Sequence, residues 1–491
     1  MKKSAAWRAA GVSLLLALAY SLVIYYCNTP IGASIGSDSA MYLTMGTALA
    51  QGYAPYLDIF DHKGPLLFIL QTIPQAIAGG YSLTSVFVME VLFLFGCLLV
   101  CSRIADHFRA SGIAVQLVYL ALNAPLACGG NLSEEYTAIF TLIGILTALR
   151  VFDRERPASG RRLAAPAALM GAMAALCFLT RANNVLPLCA MTLVLAGGLL
   201  LRRRFADFFV CAGSFAAGML ACMLPLALWL AAHDALDAAL YASITHNFMY
   251  AETGNASRLH KLFADGYGHM AMLIAALACA GALPLIRRRP ALALSMIAGA
   301  AAAGFAAFIS HKFYDHYLMI GVPMAAAGAA SLLGAAGRRL CARCAGRVVP
   351  SVMIVCCLWL CASGYAANLT RMEETAALDA FVSDAQALYA QVPEEDRDSF
   401  LAYRVEPKWY VASGALPCMR FYFLQEILAQ ADPAIMDEIV ETFDTEAPQW
   451  LVIFYNRAFG PPYDERVADI FSTRYSFVDA RGEYQLLRLI R

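Results

Sequence analysis

Charged residues are scarce in this 491-residue chain: Asp, Glu, Lys and Arg make up 15% of it, whereas globular proteins carry about 25%. The mean hydropathy is +0.60 and 60% of the residues are hydrophobic, which excludes an ordinary soluble protein. Apolar segments of about 17 to 25 residues recur along the chain, and this length crosses a hydrocarbon core of about 30 Å. The sequence therefore predicts a polytopic membrane protein.

Ionisable side chains are nearly absent from the apolar segments themselves. Apart from Glu90, the charges gather at segment ends, whereas a transporter is expected to place charges and broken helices near the bilayer midplane. We interpret Glu90 as making a buried hydrogen bond between helices rather than as a catalytic residue. We predict eleven spans, at about 9–27, 83–101, 113–128, 136–151, 164–180, 185–201, 207–231, 269–286, 291–309, 317–336 and 348–366.

The net charge of zero hides an asymmetry along the chain. Residues 1–366 contain 25 Lys/Arg and 15 Asp/Glu, whereas residues 367–491 contain 11 and 21. We therefore predict a membrane domain over 1–366 and a soluble α/β domain over 367–491.

One set of alternate segment ends carries 20 basic residues and the other carries five. By the positive-inside rule the N-terminus is cytoplasmic and the C-terminal domain is extracytoplasmic.

Several shorter elements can be predicted outside the spans. Residues 66–79 are apolar but too short to cross and are interrupted by Pro74 and by Gly79–Gly80, so we predict a helix lying along the outer interface. In the acidic tail the hydrophobic patterns predict helices at 373–391 and 433–443, strands at 399–405 and 450–455, and a closing hairpin of 475–479 with 484–490.

The first outer loop gathers the side chains that carry chemistry. Asp38 follows a glycine and a serine, and Asp61, His62 and Lys63 follow one another directly. Ionisable groups beside a bilayer are costly unless they are paired or hydrated, so such a cluster indicates a functional site. Asp38 has a second interpretation, as the N-cap of a helix over residues 40–51.

The motifs of this loop resemble those of the GT-C superfamily, the polytopic glycosyltransferases related to protein O-mannosyltransferases and lipid A aminoarabinose transferases. The loop carries SDSAMY at 37–42, GYAPYLD at 52–58 and DHKGPL at 61–66, with KGPL where relatives commonly show KPPL. FLTRAN at 178–183 and FYDHYLMIGVP at 313–323 resemble later motifs of that family. The resemblance implies a mainly α polytopic membrane protein of GT-C type with about eleven transmembrane helices and a small C-terminal α/β extracytoplasmic domain.

The resemblance also implies an activity. Such enzymes transfer a sugar from a polyprenyl-phosphate donor to an acceptor at the outer face, with inversion of the anomeric centre. Asp38 matches the catalytic acidic position, where a carboxylate takes the proton of the attacking hydroxyl. The leaving lipid phosphate needs cations, and Lys63, Arg181, His316 and Tyr317 are the candidates for the donor site. The alternatives are interfacial snorkelling of Lys63, a helix C-terminal role for Arg181, and a structural role for His316.

A second acidic site is predicted in the following outer loop. Some relatives use acidic residues there to hold a divalent ion, and Glu134 and Glu135, with Asp61 and His62, are the candidate ligands. Equally, acidic residues directly after Ser133 favour the start of a helix. No ligand set of definite spacing is present, so a divalent ion as cofactor stays open.

The expected partners follow from the same resemblance: a polyprenyl-phosphate-linked sugar, membrane lipids, and an envelope glycan, lipid or protein acceptor, with no nucleic acid. The tail segment from Trp409–Tyr410 to Arg420–Tyr422 resembles a recurring sugar-facing segment of the family. The main alternative function is a transporter or lipid-carrier flippase. A scaffold without chemistry is a third, against which the presence of both Asp38 and Lys63 argues.

Overall fold

The structure is a computed structural model that describes residues 2–30, 34–152, 159–252, 266–310, 312–339, 342–454 and 464–490. Most of the described residues are in helices. The α-helices are Lys2–Ile24, Ser37–Ala50, Pro65–Ala78, Leu83–Phe108, Gly112–Asn123, Ser133–Phe152, Ala164–Thr180, Leu186–Leu201, Phe205–Ala232, Leu236–Leu240, His246–Glu252, Gly266–Ile286, Pro290–Phe308, Val322–Arg339, Ala342–Tyr389, Lys408–Ser413, Gln425–Ala431, Ala434–Thr445 and Glu465–Arg474.

Ten helices among the described residues are long and apolar enough to cross a membrane. They match ten of the eleven predicted spans, and the prediction of a multi-pass membrane protein is confirmed. The predicted span at 113–128 differs, because it consists of the helix Gly112–Asn123 and a 3₁₀ turn at Ala124–Leu126. Its length is about 24 Å, against a hydrocarbon thickness of about 30 Å, and its crossing of the membrane stays a prediction. Pro125 lacks the N–H that would extend the α-helical hydrogen bonding.

The short apolar helix after the first outer loop forms as predicted, over Pro65–Ala78. Pro65 occupies a first-turn position after Gly64, where a missing N–H costs nothing, and Gly79 ends the helix with a φ of 76°. Pro74 lies inside the helix, so the prediction that it interrupts the segment is wrong. The placement of this helix along the outer interface stays a prediction.

One compact unit comprises residues 1–29, 87–229 and 255–369. A continuous apolar core joins its helices. The helices Ala164–Thr180 and Phe205–Ala232 approach so closely that a Cβ on Gly171 would collide with the Phe215 carbonyl, and a Cβ on Gly218 with that of Ala168. Small residues at such crossings let membrane helices pack through direct backbone contact.

The other compact unit comprises residues 30–86, 230–254 and 370–491, so it contains both the first outer loop and the tail. The helices Ser37–Ala50 and Pro65–Ala78 pack together at Gly46, where an added Cβ would lie 2.6 Å from the Gln71 carbonyl carbon. A 3₁₀ helix at Glu394–Ser399 and a π-helical turn at Tyr241–Thr245 also belong to this unit.

The tail has the α/β character that was predicted. Its strands are β1 (Phe400–Tyr403), β2 (Trp450–Phe454), β3 (Tyr475–Arg481) and β4 (Tyr484–Leu489), in the sheet order β1-β2-β4-β3. β1 is parallel to β2, and β4 is antiparallel to both β2 and β3, so the predicted closing hairpin is confirmed. The predicted span 348–366 and helix 373–391 are one helix, Ala342–Tyr389. The domain division at 366/367 stays a prediction.

Candidate functional site

Asp38 lies in the first turn of the helix Ser37–Ala50, and its side chain is partly buried. Gly36 is the N-cap and no side chain caps this helix end, so the interpretation of Asp38 as an N-cap is wrong. A carboxylate in the first turn is stabilised by the helix dipole and by the exposed N–H groups there. The charge of Asp38 also acts on Asp61, whose pKa it helps to raise. The two carboxyl groups therefore belong to one electrostatic cluster.

Asp61 and Lys63 form a buried ion pair. Asp61 Oδ1 accepts a hydrogen bond from the Lys63 backbone N–H at 2.9 Å, and Asp61 Oδ2 lies 3.5 Å from Lys63 Nζ. The Lys63 ammonium also lies 5.5 Å from the centre of the Tyr42 ring and 3.8 Å from Met41 Sδ. Burial raises the pKa of Asp61, and the charge of Lys63 opposes that rise. His62 Nδ1 lies 3.8 Å from Asp61 Oδ2.

The backbone of this loop is held by residues that sequence reasoning missed. The Tyr56 hydroxyl donates to the Lys63 carbonyl at 2.8 Å, and Asn247 Nδ2 donates to the His62 carbonyl at 2.7 Å. The Ser243 hydroxyl donates to the Lys63 carbonyl at 3.3 Å. Because Ser243 and Asn247 are about 180 positions away and follow no motif, no signal in a single sequence identifies them.

The tail binds the same loop through Arg420. Arg420 Nε donates to the Tyr56 carbonyl at 2.7 Å, and Phe60 N–H donates to the Arg420 carbonyl at 2.9 Å. The guanidinium also makes two 3.0 Å hydrogen bonds to the Glu438 carboxylate and lies 4.9 Å from the centre of the Phe421 ring. Arg420 is therefore a structural clamp between two distant segments of this unit.

The prediction of a sugar-facing segment at 409–422 is wrong for its aromatic side chains. Trp409, Tyr410 and Tyr422 have no exposed surface, and Phe421 is only 3% exposed. The Tyr422 hydroxyl donates to the Met41 carbonyl at 3.3 Å, so these rings pack against the first-loop segment. A ring buried in this way has no surface to offer to a sugar.

The second group of predicted residues is centred on Arg181, which ends the helix Ala164–Thr180 as its C-cap. Its Nη1 forms an ion pair with Glu134 and lies 3.4 Å from the Ser133 hydroxyl. The guanidinium carbon lies 4.4 Å from the centre of the Tyr317 ring, a cation–π contact. The structure thus brings together three of the predicted residues, Glu134, Arg181 and Tyr317, within one unit.

His316 lies at the edge of this group, in the 3₁₀ helix Asp315–Gly321. Its ring meets the Tyr317 ring edge-on at 4.8 Å and stacks on the Tyr314 ring at 5.7 Å. His316 is partly exposed whereas Tyr317 is buried. Of these two residues, only His316 offers a surface to a ligand.

Glu134 and Glu135 face different partners, although both were assigned to one site. The helix does begin at Ser133, as one interpretation required, and Glu134 pairs with Arg181. Glu135 instead lies beside Glu90. Glu90 accepts hydrogen bonds from Asn28 Nδ2 at 3.0 Å and from Asn131 N–H, which are loop residues. It also faces Glu135 of the helix Ser133–Phe152 across a small cavity, so the hydrogen bond between helices stays a prediction.

The candidate metal ligands do not form a metal site. Asp61 is paired with Lys63 and Glu134 with Arg181, so two of the four carry their own cation. Among the described residues, no group of three or more His, Cys, Asp or Glu side chains is placed to hold an ion. A divalent ion needs several such ligands, and no reaction step is derived through one.

The chemistry available differs between the two groups. The first loop combines a partly exposed carboxylate at a helix N-terminus with a buried ammonium, which suits a proton acceptor near a bound anion. The second group offers a guanidinium that is already oriented by a carboxylate and an aromatic ring. Guanidinium groups bind phosphates through paired N–H donors.

No protein-family description and no curated protein sequence matches the chain. Solved structures do match. ArnT from Cupriavidus metallidurans bound to undecaprenyl phosphate has a TM-score of 0.63 and 15% identity, covering 96% of this chain and 97% of that one. The oligosaccharyltransferase AglB from Archaeoglobus fulgidus, in complex with an inhibitory peptide and a dolichol-phosphate, has a TM-score of 0.53 and 12% identity, covering 92% and 70%.

The arabinofuranosyltransferase AftD from Mycobacteria has a TM-score of 0.55 and 13% identity, covering 100% of this chain and 40% of that one. At such low identity the likeness concerns the fold, and it extends over nearly the whole chain. It agrees with the ten apolar helices and the small α/β tail described above. The chain is therefore a multi-pass membrane protein with the fold of the GT-C superfamily.

Proposed function

We propose that the chain is an integral-membrane glycosyltransferase that moves a sugar from a polyprenyl-phosphate carrier to an acceptor hydroxyl or similar group at the outer face. The observation that carries the proposal is the fold likeness to ArnT bound to undecaprenyl phosphate, over 96% of this chain. AglB, a second similar structure, holds a dolichol-phosphate. Undecaprenyl phosphate and dolichol-phosphate are both polyprenyl phosphates, the chemical class that the proposal requires.

In the proposed reaction Asp38 is the general base. Its carboxylate takes the proton of the acceptor hydroxyl while that oxygen bonds to C1 of the sugar, and the bond from C1 to the phosphate oxygen breaks with inversion. The polyprenyl phosphate leaves with the electron pair. Partial exposure at a helix N-terminus supports this role, because an acceptor can reach the carboxylate there.

Lys63, Arg181 and His316 are proposed to bind the phosphate of the donor, and Tyr317, the fourth residue predicted for this site, is proposed to orient Arg181. Lys63 has three N–H donors, and its contacts with Asp61 and Met41 account for two of them. Arg181 is held in one orientation by Glu134 and Tyr317, which lowers the entropy lost when a phosphate binds. The N-terminus is proposed to be cytoplasmic and the tail extracytoplasmic.

The decisive experiment compares wild-type protein with Asp38→Asn in lipid nanodiscs, supplied with a panel of polyprenyl-phosphate sugars. Because the amide keeps the shape and loses the base, transfer or release of sugar should fall at least about 100-fold. Asp58→Asn is the matched control, because Asp58 is an exposed carboxylate of the same loop that accepts a hydrogen bond from Ala54 N–H at 2.6 Å. Its activity should stay within about twofold of wild type.

Equal turnover by wild type and Asp38→Asn would remove Asp38 from the mechanism. A second result would replace the proposed function altogether. If no donor reacts while a labelled polyprenyl-phosphate sugar crosses the bilayer of proteoliposomes, the chain is a lipid-carrier flippase.

A further inference from the structure

Glu90 is a buried carboxylate within a membrane-spanning helix, Leu83–Phe108, and the proposed reaction does not use it. It lies about 10 Å along the helix from its start. Its two oxygens accept from different donors, Oε2 from Asn28 Nδ2 at 3.0 Å and Oε1 from Asn131 N–H. Donors directed at both oxygens favour the ionised form of this carboxyl group.

The Asn131 donor belongs to an unusual turn. Four consecutive residues, Cys128 to Asn131, have φ values of 45°, 88°, 100° and 57°. Asparagine tolerates this left-handed region, but most residues other than glycine resist it, so Cys128 keeps it only while the surroundings enforce it. At Gly130 an added Cβ would lie 2.5 Å from Glu90 Oε1, so the turn closes directly onto the carboxylate.

Glu135 completes the arrangement from the other side of the turn. Its Oε2 accepts from Leu132 N–H at 3.4 Å, its Oε1 is buried and accepts no hydrogen bond, and its carboxyl group faces the same small cavity as Glu90. Two ionised carboxylates cannot hydrogen-bond, because neither has a donor. Both groups line a cavity of about 10 Å³, which holds at most one water molecule and has no space for a hydrated cation.

We propose that Glu90 and Glu135 bind one shared proton, carried by Glu135, and that the singly charged pair fixes the turn 128–131. The helix that follows this turn begins at Ser133, so the turn sets where Glu134 meets Arg181. Glu90 is then a positioning residue for Arg181. This last step rests on the proposed function, whereas the shared proton and the anchored turn do not.

The proposal predicts that two matched substitutions differ. Glu135→Gln keeps a donor toward Glu90 and an acceptor for Leu132 N–H, so it imitates the protonated acid. Glu90→Gln has only one acceptor oxygen for two donors, so either Asn28 Nδ2 or Asn131 N–H loses its acceptor. Hydrogen exchange of the peptide covering 127–135 in nanodiscs should therefore speed up at least about tenfold in Glu90→Gln and less than about twofold in Glu135→Gln.

Sugar transfer gives the second readout, with kcat lowered in Glu90→Gln and retained in Glu135→Gln. Equal damage from both substitutions would mean that both carboxylates are ionised, and an unchanged turn in Glu90→Gln would mean that Glu90 is not its anchor. Either result overturns the proposal. If Glu90→Gln does not fold, Asn28→Ala removes one donor only and should give an intermediate exchange rate, whereas a wild-type rate there would also overturn it. The exchange measurement needs no substrate, so it holds even if no donor reacts.

Discussion

The Lys63 ammonium lies 3.5 Å from the Asp61 carboxylate, and both side chains are more than nine-tenths buried. A buried pair of this kind adds little net stability, because its attraction mostly repays the desolvation of two charges. Removal of both charges should therefore cost little stability. Removal of one partner should cost much more, because the other charge is left buried and uncompensated. The pair therefore allows structural effects in the first loop to be separated from catalytic ones.

Asp61→Asn should lower the free energy of unfolding by about 3 to 5 kcal/mol, because Lys63 is left buried without its counterion. The measurement is a denaturant titration of the purified protein in micelles. The double variant Asp61→Asn with Lys63→Met should recover much of that loss, because it removes both charges. If the double variant is no more stable than Asp61→Asn alone, the pairing is not what stabilises this loop.

Arg181→Lys should lower sugar transfer at least about tenfold although it keeps the positive charge. A lysine cannot pair with Glu134 and lie flat over the Tyr317 ring at the same time, whereas the guanidinium does both. The measurement is kcat and KM for the polyprenyl-phosphate donor. Tyr317→Phe is the control, because it keeps the ring face and should retain most of the activity. If Arg181→Lys is as active as wild type, the planar guanidinium group is not required at this position.

Gly46→Ala should lower the free energy of unfolding by about 1 to 3 kcal/mol, because its methyl group would meet the Gln71 backbone at 2.6 Å. The matched control is Gly213→Ala, in the middle of the exposed face of another helix, where an added Cβ meets nothing within 4 Å. Alanine is the better helix former, so the control should be neutral or stabilising by up to about 1 kcal/mol. Thermal unfolding in nanodiscs compares the two variants. Equal effects would mean that the close packing of the helices Ser37–Ala50 and Pro65–Ala78 at Gly46 does not contribute to stability.

Much of the fold could be predicted because membrane spans and short strands follow local patterns. The ten long helices, the helix Pro65–Ala78 and the strand β2 all follow from runs of apolar residues whose length fits one element. The α-helix of the predicted span at 113–128 is shorter than expected because Pro125 ends it early, although the run stays apolar. Apolar composition alone does not show where the helical hydrogen bonding stops.

The candidate site was less predictable, because its contacts are distant in sequence. Lys63 and Asp61 are two positions apart, yet they were predicted for a donor site and a metal site and not as an ion pair. The clamp by Arg420 follows no local pattern. The sequence also treats Glu134 and Glu135 as one acidic pair. Successive residues of a helix point about 100° apart, so Glu134 faces Arg181 and Glu135 faces Glu90.

The clamp between Arg420 and the first loop also constrains how the protein is made. Arg420 is synthesised 364 residues after Tyr56, which at 5 to 20 residues per second is a delay of roughly 20 to 70 s. During that interval the segment that carries Lys63 has left the ribosome while the tail that covers it does not yet exist. The first loop thus reaches its final structure last although it is made early. A premature stop before residue 420 would yield a protein whose first loop lacks its contacts with Arg420.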